Sequence, residues 1–93
     1  MNDYRFVVDR NAVRYVDANG TSCAEVTFPD VGDNTVEIDH TFVDDSLRGR
    51  GIAGQLLERC VRSLEETGRK AIPTCFYAMH WFEKHPERGD LLA

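Results

Sequence analysis

Apolar and polar residues alternate with a period of two through the first half of this 93-residue chain and with a helical period through much of the second. Tyr4 to Asp9 and Ala12 to Asp17 are short and rich in valine and aromatics, with a break at Arg10-Asn11, which predicts one or two strands with a bend. Asn19-Gly20 follows as a tight-turn signal. Thr21 to Phe28 then returns with Cys23 and Glu25 on one face and Ala24, Val26 and Phe28 on the other. Pro29 to Asn34 has loop composition. Thr35 to Val43 reads as one strand: Val36, Ile38, His40 and Phe42 share a face opposite Glu37, Asp39 and Thr41.

From Ile52 the period lengthens. Ile52, Leu56, Cys60, Val61 and Leu64 recur at helical spacing, and Gly68 is a natural stop. Lys70 to Pro73 is a brief strand, parallel to Thr35–Val43 because the intervening helix supplies the crossover that parallel pairing needs. Phe76 to Lys84 predicts a second helix, ended by His85-Pro86. The residues after it, Glu87 to Ala93, carry no clear signal. The expected class is α+β: an antiparallel meander, a crossover helix, a parallel strand and a C-terminal helix in one compact domain spanning 1–93.

Between strand and helix lies Arg48-Gly49-Arg50-Gly51-Ile52-Ala53-Gly54. Glycines here permit unusual dihedrals and close approach of the backbone to a ligand. The first amides of a helix lack internal partners and sit at the positive end of its dipole. With two arginines beside it, the corner is suited to gripping a pyrophosphate. Gly49, Gly51 and Gly54 also fit the dinucleotide pattern G-x-G-x-x-G, but the ribose-binding acid expected about 20 positions on is missing, since that region is Lys70-Ala71-Ile72-Pro73-Thr74. A P-loop is excluded because no Gly-Lys-Ser/Thr follows.

Charge changes the picture by its unevenness. Residues 1–47 carry −7 and residues 48–93 carry +2, which argues against a general nucleic-acid surface and for a local anion site faced by acid. A basic co-substrate suits that acidic side. Three cysteines, Cys23, Cys60 and Cys75, form no C-x-x-C pair, so neither a disulfide framework nor a metal site is expected. Without a signal-like N-terminus or a membrane-length apolar run, the expected setting is a reducing cytosol, with no membrane partner.

Arg48-x-x-Gly51-x-Ala53, between a strand and an amphipathic helix, resembles the acyl-CoA-binding signature of the Gcn5-related N-acetyltransferases. His40-Thr41-Phe42-Val43, Leu47 to Ile52, Pro73-x-Cys75 and His85-Pro86-Glu87 resemble its small single-domain bacterial branch, the YjdJ-like N-acetyltransferases, over about Ala12 to Leu92. The resemblance implies that amides from Arg48 through Gly49, Arg50, Gly51, Ile52 and Ala53 to Gly54 cradle the pyrophosphate of acetyl-CoA. It also implies that the pantetheine arm lies beside Phe42 and Val43, in a splay between that strand and Lys70–Pro73. Phe76 and Arg88 depart from the branch's usual proline and aromatic residue, which implies an altered wall on the acceptor side.

Cys75 falls between a strand and a helix start, where the dipole and free amides favour a negatively charged sulfur, and it belongs to the branch's recurrent pattern. A free cysteine is otherwise a small buried hydrophobe, the reading that fits Cys23 and Cys60. His40, on the face of Val36 and Ile38, reads first as a core histidine. It also lies near the expected thioester, where a neutral imidazole can take a proton from an amine. The family implies that the thioester carbonyl is polarised by an amide around Thr41 to Val43, and the expected chemistry is direct attack in a ternary complex with His40 as base. An acetyl-Cys75 step is the variant. The expected partners are acetyl-CoA and an amine acceptor, on a monomer or weak homodimer. The alternative is a CoA-binding module that does no chemistry and needs neither His40 nor Cys75.

Overall fold

The computed structural model describes residues 3–93 and contains two small sheets that share one core. Strands β1 (Arg5–Asp9), β2 (Ala12–Val16), β3 (Ser22–Thr27) and β6 (His40–Val43) form an antiparallel sheet in that order. Strands β4 (Asp30–Gly32), β5 (Thr35–Ile38) and β7 (Lys70–Pro73) form the second, with β5 and β7 parallel. Helix α1 (Ile52–Thr67) makes the crossover, and α2 (Phe76–Lys84) follows β7.

The turns follow from local chemistry. Arg10-Asn11 closes a two-residue hairpin between β1 and β2. At the next turn the Asp17 carboxylate accepts from the amides of Asn19 and Thr21, both at 2.9 Å, and Gly20 takes a positive φ of 82°. Gly68 ends α1 in the left-handed region and donates its N–H to the Leu64 carbonyl.

The stretch Thr35–Val43 is not one strand, and this corrects the continuous alternation expected from sequence. Its first part pairs with β7, its second with β3, and at Asp39 the side-chain sense changes. Val36 and Ile38 are fully buried, whereas His40 and Phe42 turn to solvent and Thr41 and Val43 turn inward. The Asp39 amide and carboxylate both bind Thr27, at 3.3 and 2.6 Å, so the extra residue is held by the neighbouring strand. Pro29–Asn34 also departs from the expected plain loop, since β4 lies within it and pairs with β5.

Leu56, Leu57, Cys60, Val61 and Leu64 of α1 pack on Val13, Ala24 and Val26 of the first sheet and Val36 and Ile38 of the second. Removal of such side chains from water is the main stabilising term. Arg69 is buried beside this core and satisfied by the Arg10 carbonyl at 2.8 Å, Thr67 Oγ1 at 2.7 Å and Ser63 Oγ at 3.3 Å. Its burial pulls its pKa down from the usual guanidinium value. The residues without a sequence signal form a 3-10 helix over Pro86–Leu91. After it, Leu92 bridges to Ala71 and the Ala93 amide binds the Ala71 carbonyl at 2.9 Å, covering the free edge of β7.

Candidate functional site

The two sheets separate beyond Ile38. Its carbonyl accepts from the amides of both Thr74 (3.0 Å) and Cys75 (3.2 Å), the last main-chain tie on that side before β6 departs to pair with β3. Strand β6 is the outermost strand of its sheet, so its other edge faces the resulting gap. Asp44 donates its N–H to the Cys23 carbonyl at 2.8 Å. By antiparallel alternation the amides of Val43 and Thr41 then point away from β3, toward the gap.

The chain next turns through a 3-10 helix, Asp45–Leu47, anchored by buried Leu47. Asp44 caps it: its carboxylate accepts from the Ser46 amide at 3.0 Å and from the Ser46 hydroxyl, bonds that hold the carboxyl below its usual range. Arg48 is extended, Gly49 has φ +80° and Gly51, the residue before α1, has φ +72°. No side chain caps α1. Its first internal bond runs from the Gln55 amide to the Gly51 carbonyl at 3.2 Å, which leaves the amides of Ile52, Ala53 and Gly54 without helical acceptors. A Cβ placed on Gly49 or Gly51 would meet nothing within 4 Å, so these glycines serve backbone conformation and an open approach.

A cavity of about 210 Å³ lies at this corner, bounded by Val43, Arg48, Gly49, Ile52, Ala53 and Tyr77. Arg48 is exposed and pairs with Asp45 at 3.0 Å; Arg50 is exposed with no ion pair among the described residues. Phe42, turned outward by the change of sense at Asp39, is 46% exposed. Gly54 faces a second cavity of about 350 Å³ between α1 and α2, which meets the first at Gly51 and Tyr77.

Cys75 precedes α2 and caps it, its Sγ accepting from the Ala78 amide at 3.4 Å. The same sulfur lies 3.3 Å from Thr41 Oγ1. His40 is therefore not the core residue that alternation from Val36 suggests. Its side chain is 55% exposed, with Nε2 3.7 Å from the Glu25 carboxylate. His40 and Cys75 thus flank β6 from its two sides, joined through Thr41. Cys60 is buried in the α1 stripe, and burial pushes its thiol up to about 12, as an inert core cysteine requires. Arg88 donates to Glu58 of α1 at 2.7 Å. Sequence reasoning missed the Thr41 hydroxyl and Tyr77, although an aromatic two residues past Cys75 in the first turn of a helix is a signal that could have found Tyr77.

Among the described residues there is no cluster of three or more metal-ligating side chains, and no helix is long and apolar enough to cross a membrane. The model of the GCN5-related N-acetyl-transferase family matches residues 12–91. The NATD1 proteins of Xenopus tropicalis and Homo sapiens are 39% and 38% identical to this chain over 56 residues, 60% of it. The match spans about half the length of those relatives. The solution structure of a GCN5-like protein from Staphylococcus aureus superposes with a TM-score of 0.79 at 31% identity, covering 100% of this chain and 91% of that one. The GNAT-family N-acetyltransferase YhbS of Escherichia coli, solved in complex with CoA, superposes with a TM-score of 0.63 at 28% identity, over 74% of this chain and 42% of its own.

Proposed function

Because the chain belongs to the GCN5-related N-acetyltransferases, we propose that it moves an acetyl group from acetyl-CoA to an amine. The observation that carries this is the uncapped start of α1. Three free amides, two left-handed glycines and Arg48 lie at the mouth of a gap between strands, with Arg50 exposed beside them. An anion meets there both hydrogen-bond donors and the positive end of a sixteen-residue helix. These residues fit a diphosphate, and the gap beyond them, bordered by Val43 and the end of β7, fits an extended arm. The likeness to a fold solved with CoA adds support.

Acetyl-CoA, when bound, supplies the activated acyl group as a thioester. The amides of Thr41 and Val43, turned to the gap, are donors for an oxygen that gains negative charge during attack. His40, beside Glu25, takes the proton from the amine. Glu25, Glu37 and Asp39 stand on the outward side of β3 and β5 and at the strand break, favouring a cationic acceptor that sheds its proton on arrival. Cys75, bonded to Thr41, is placed to donate toward the gap or, in the covalent variant, to accept the acetyl group itself. The separation of His40 and Cys75 across β6 also keeps a second reading in play, a CoA-binding module without turnover.

Release of free CoA thiol from acetyl-CoA across a panel of amines separates the two. Catalysis predicts amine-dependent release that falls about a hundredfold in His40→Ala, the usual scale of a lost general base. Tight CoA binding with no release above background for any amine, in the presence of native folding, contradicts it.

A further inference from the structure

We infer that the outer edge of β1 is an interface between two copies of this chain, paired antiparallel about a two-fold axis at Val7. Strand β1 is the outermost strand of its sheet, at the opposite edge from β6. An open edge offers main-chain donors and acceptors to any strand that meets it, and folds blunt such edges by covering, shortening or interrupting them. The β7 edge is covered by the Leu92 bridge, β4 is three residues long, and β6 faces the gap. Strand β1 has five residues without proline, glycine or lysine, in unbroken register with β2 from Arg5 to Asp9. Among the described residues, nothing pairs with its outer side.

The register fixes which groups are free. The Asn11 carbonyl accepts from the Phe28 amide, so the main-chain groups of Asn11, Val13 and Tyr15 point to β3 and those of Ala12 and Arg14 point to β1. That engages Asp9 and Val7, and leaves the amides and carbonyls of Phe6 and Val8 directed outward. In an antiparallel pair centred on Val7, Phe6 of one copy lies opposite Val8 of the other, so the outward groups meet without any slip of register. The same alignment sets Arg5 against Asp9 at both ends. Both side chains are exposed; Arg5 has no ion pair among the described residues, and Asp9, bound to Arg14 at 2.7 Å through Oδ2, keeps Oδ1 for a second partner. Unlike charges directly opposed across two strands favour pairing, and like charges oppose it. On the other face Val8, 51% exposed, gains the Phe6 ring, over which the Arg59 guanidinium sits 3.7 Å from the centroid. A strand with opposite charges at its ends and apolar residues between them complements a reversed copy of itself, as a two-fold interface requires. Parallel alignment in register would set like charges together. The interface lies across the sheet from the gap, so the dimer leaves both gaps open.

Sedimentation velocity over a concentration series tests this on the wild type, Arg5→Glu, Asp9→Lys, an equimolar mixture of those two variants, and Val8→Pro. The wild type should dimerise reversibly. Each charge variant alone faces like charges at both symmetric positions and should associate about tenfold more weakly. Their mixture restores unlike charges at both positions and should recover wild-type association, which damage to the fold of either variant would not give. Val8→Pro removes an outward N–H but no bond to β2, and should be monomeric with native circular dichroism. A wild type that stays monomeric to millimolar concentration overturns the inference. So does a mixture that associates no better than its components, or a dimer undiminished in Val8→Pro. With no CoA in the experiment, the outcome is independent of the carrier assignment.

Discussion

Gly51 and Gly54 sit one helical turn apart and need to be glycine for different reasons. Gly51 holds a left-handed φ of +72°, so any side chain there costs about 1 kcal/mol in backbone strain. Gly54 is inside α1, where a Cβ would meet only the Tyr77 hydroxyl at an ordinary 3.7 Å. Alanine at 54 should therefore stabilise the free protein by about 0.5–1 kcal/mol through helix propensity. It should also weaken CoA binding, because the methyl group occupies the approach to the free amides. Thermal melts and calorimetry on Gly54→Ala check both signs; a variant that melts higher and binds CoA unchanged means that the ligand does not pass over this turn. The glycine corner was legible because each part is local in sequence. The Thr41 contact with Cys75 was not, since it joins residues 34 apart and depends on which side of β6 faces inward.

Among the elements, the loss of register at Asp39 decides the most. Val36, Ile38, His40 and Phe42 alternate so evenly that periodicity gives no warning of a change, and it takes Thr27 on the neighbouring strand to hold the extra residue. That one residue divides β5 from β6, sends them to different sheets and opens the gap. Helices α1 and α2 and strand β7 were readable from their own patterns. Strand β4, three exposed residues, and the 3-10 helix at Pro86–Leu91 were not, because tertiary pairing rather than local propensity makes them. That last helix is clamped to α1 by Arg88 and Glu58. Burial opposes the charge on Glu58, but the hydrogen bond and charge of Arg88, with Arg62, outweigh it and hold the carboxyl below its usual range. A depressed folded-state pKa means stabilisation that is complete above the unfolded carboxylate value, near pH 4.3, and is lost as pH falls through the folded one. Arg88→Met should cost about 1 kcal/mol at pH 7, the scale of a partly exposed pair. The cost should shrink below about pH 4. Denaturant titrations at pH 7 and pH 3 that give the same difference contradict the clamp.

At the scale of the whole molecule, acidic and basic side chains are interspersed around the gap. Glu25 and Glu37 lie on the faces opposite the buried Ala24, Val26, Val36 and Ile38, and Asp39 is exposed at the strand break. Arg48 and Arg50 stand at the corner, where Arg48 is paired with Asp45. Under the proposed transfer, the carrier meets the arginines of the corner and a cationic acceptor meets the carboxylates beside His40. The whole arrangement depends on the start of α1 acting as the anchor for the carrier. Titration of CoA into the wild type and into the double variant Arg48→Glu, Gly51→Val, with folding of both verified by circular dichroism, measures that directly. The account predicts saturable uptake of one CoA per chain by the wild type and none by the variant; no uptake by the wild type, or equal uptake by both, would contradict it.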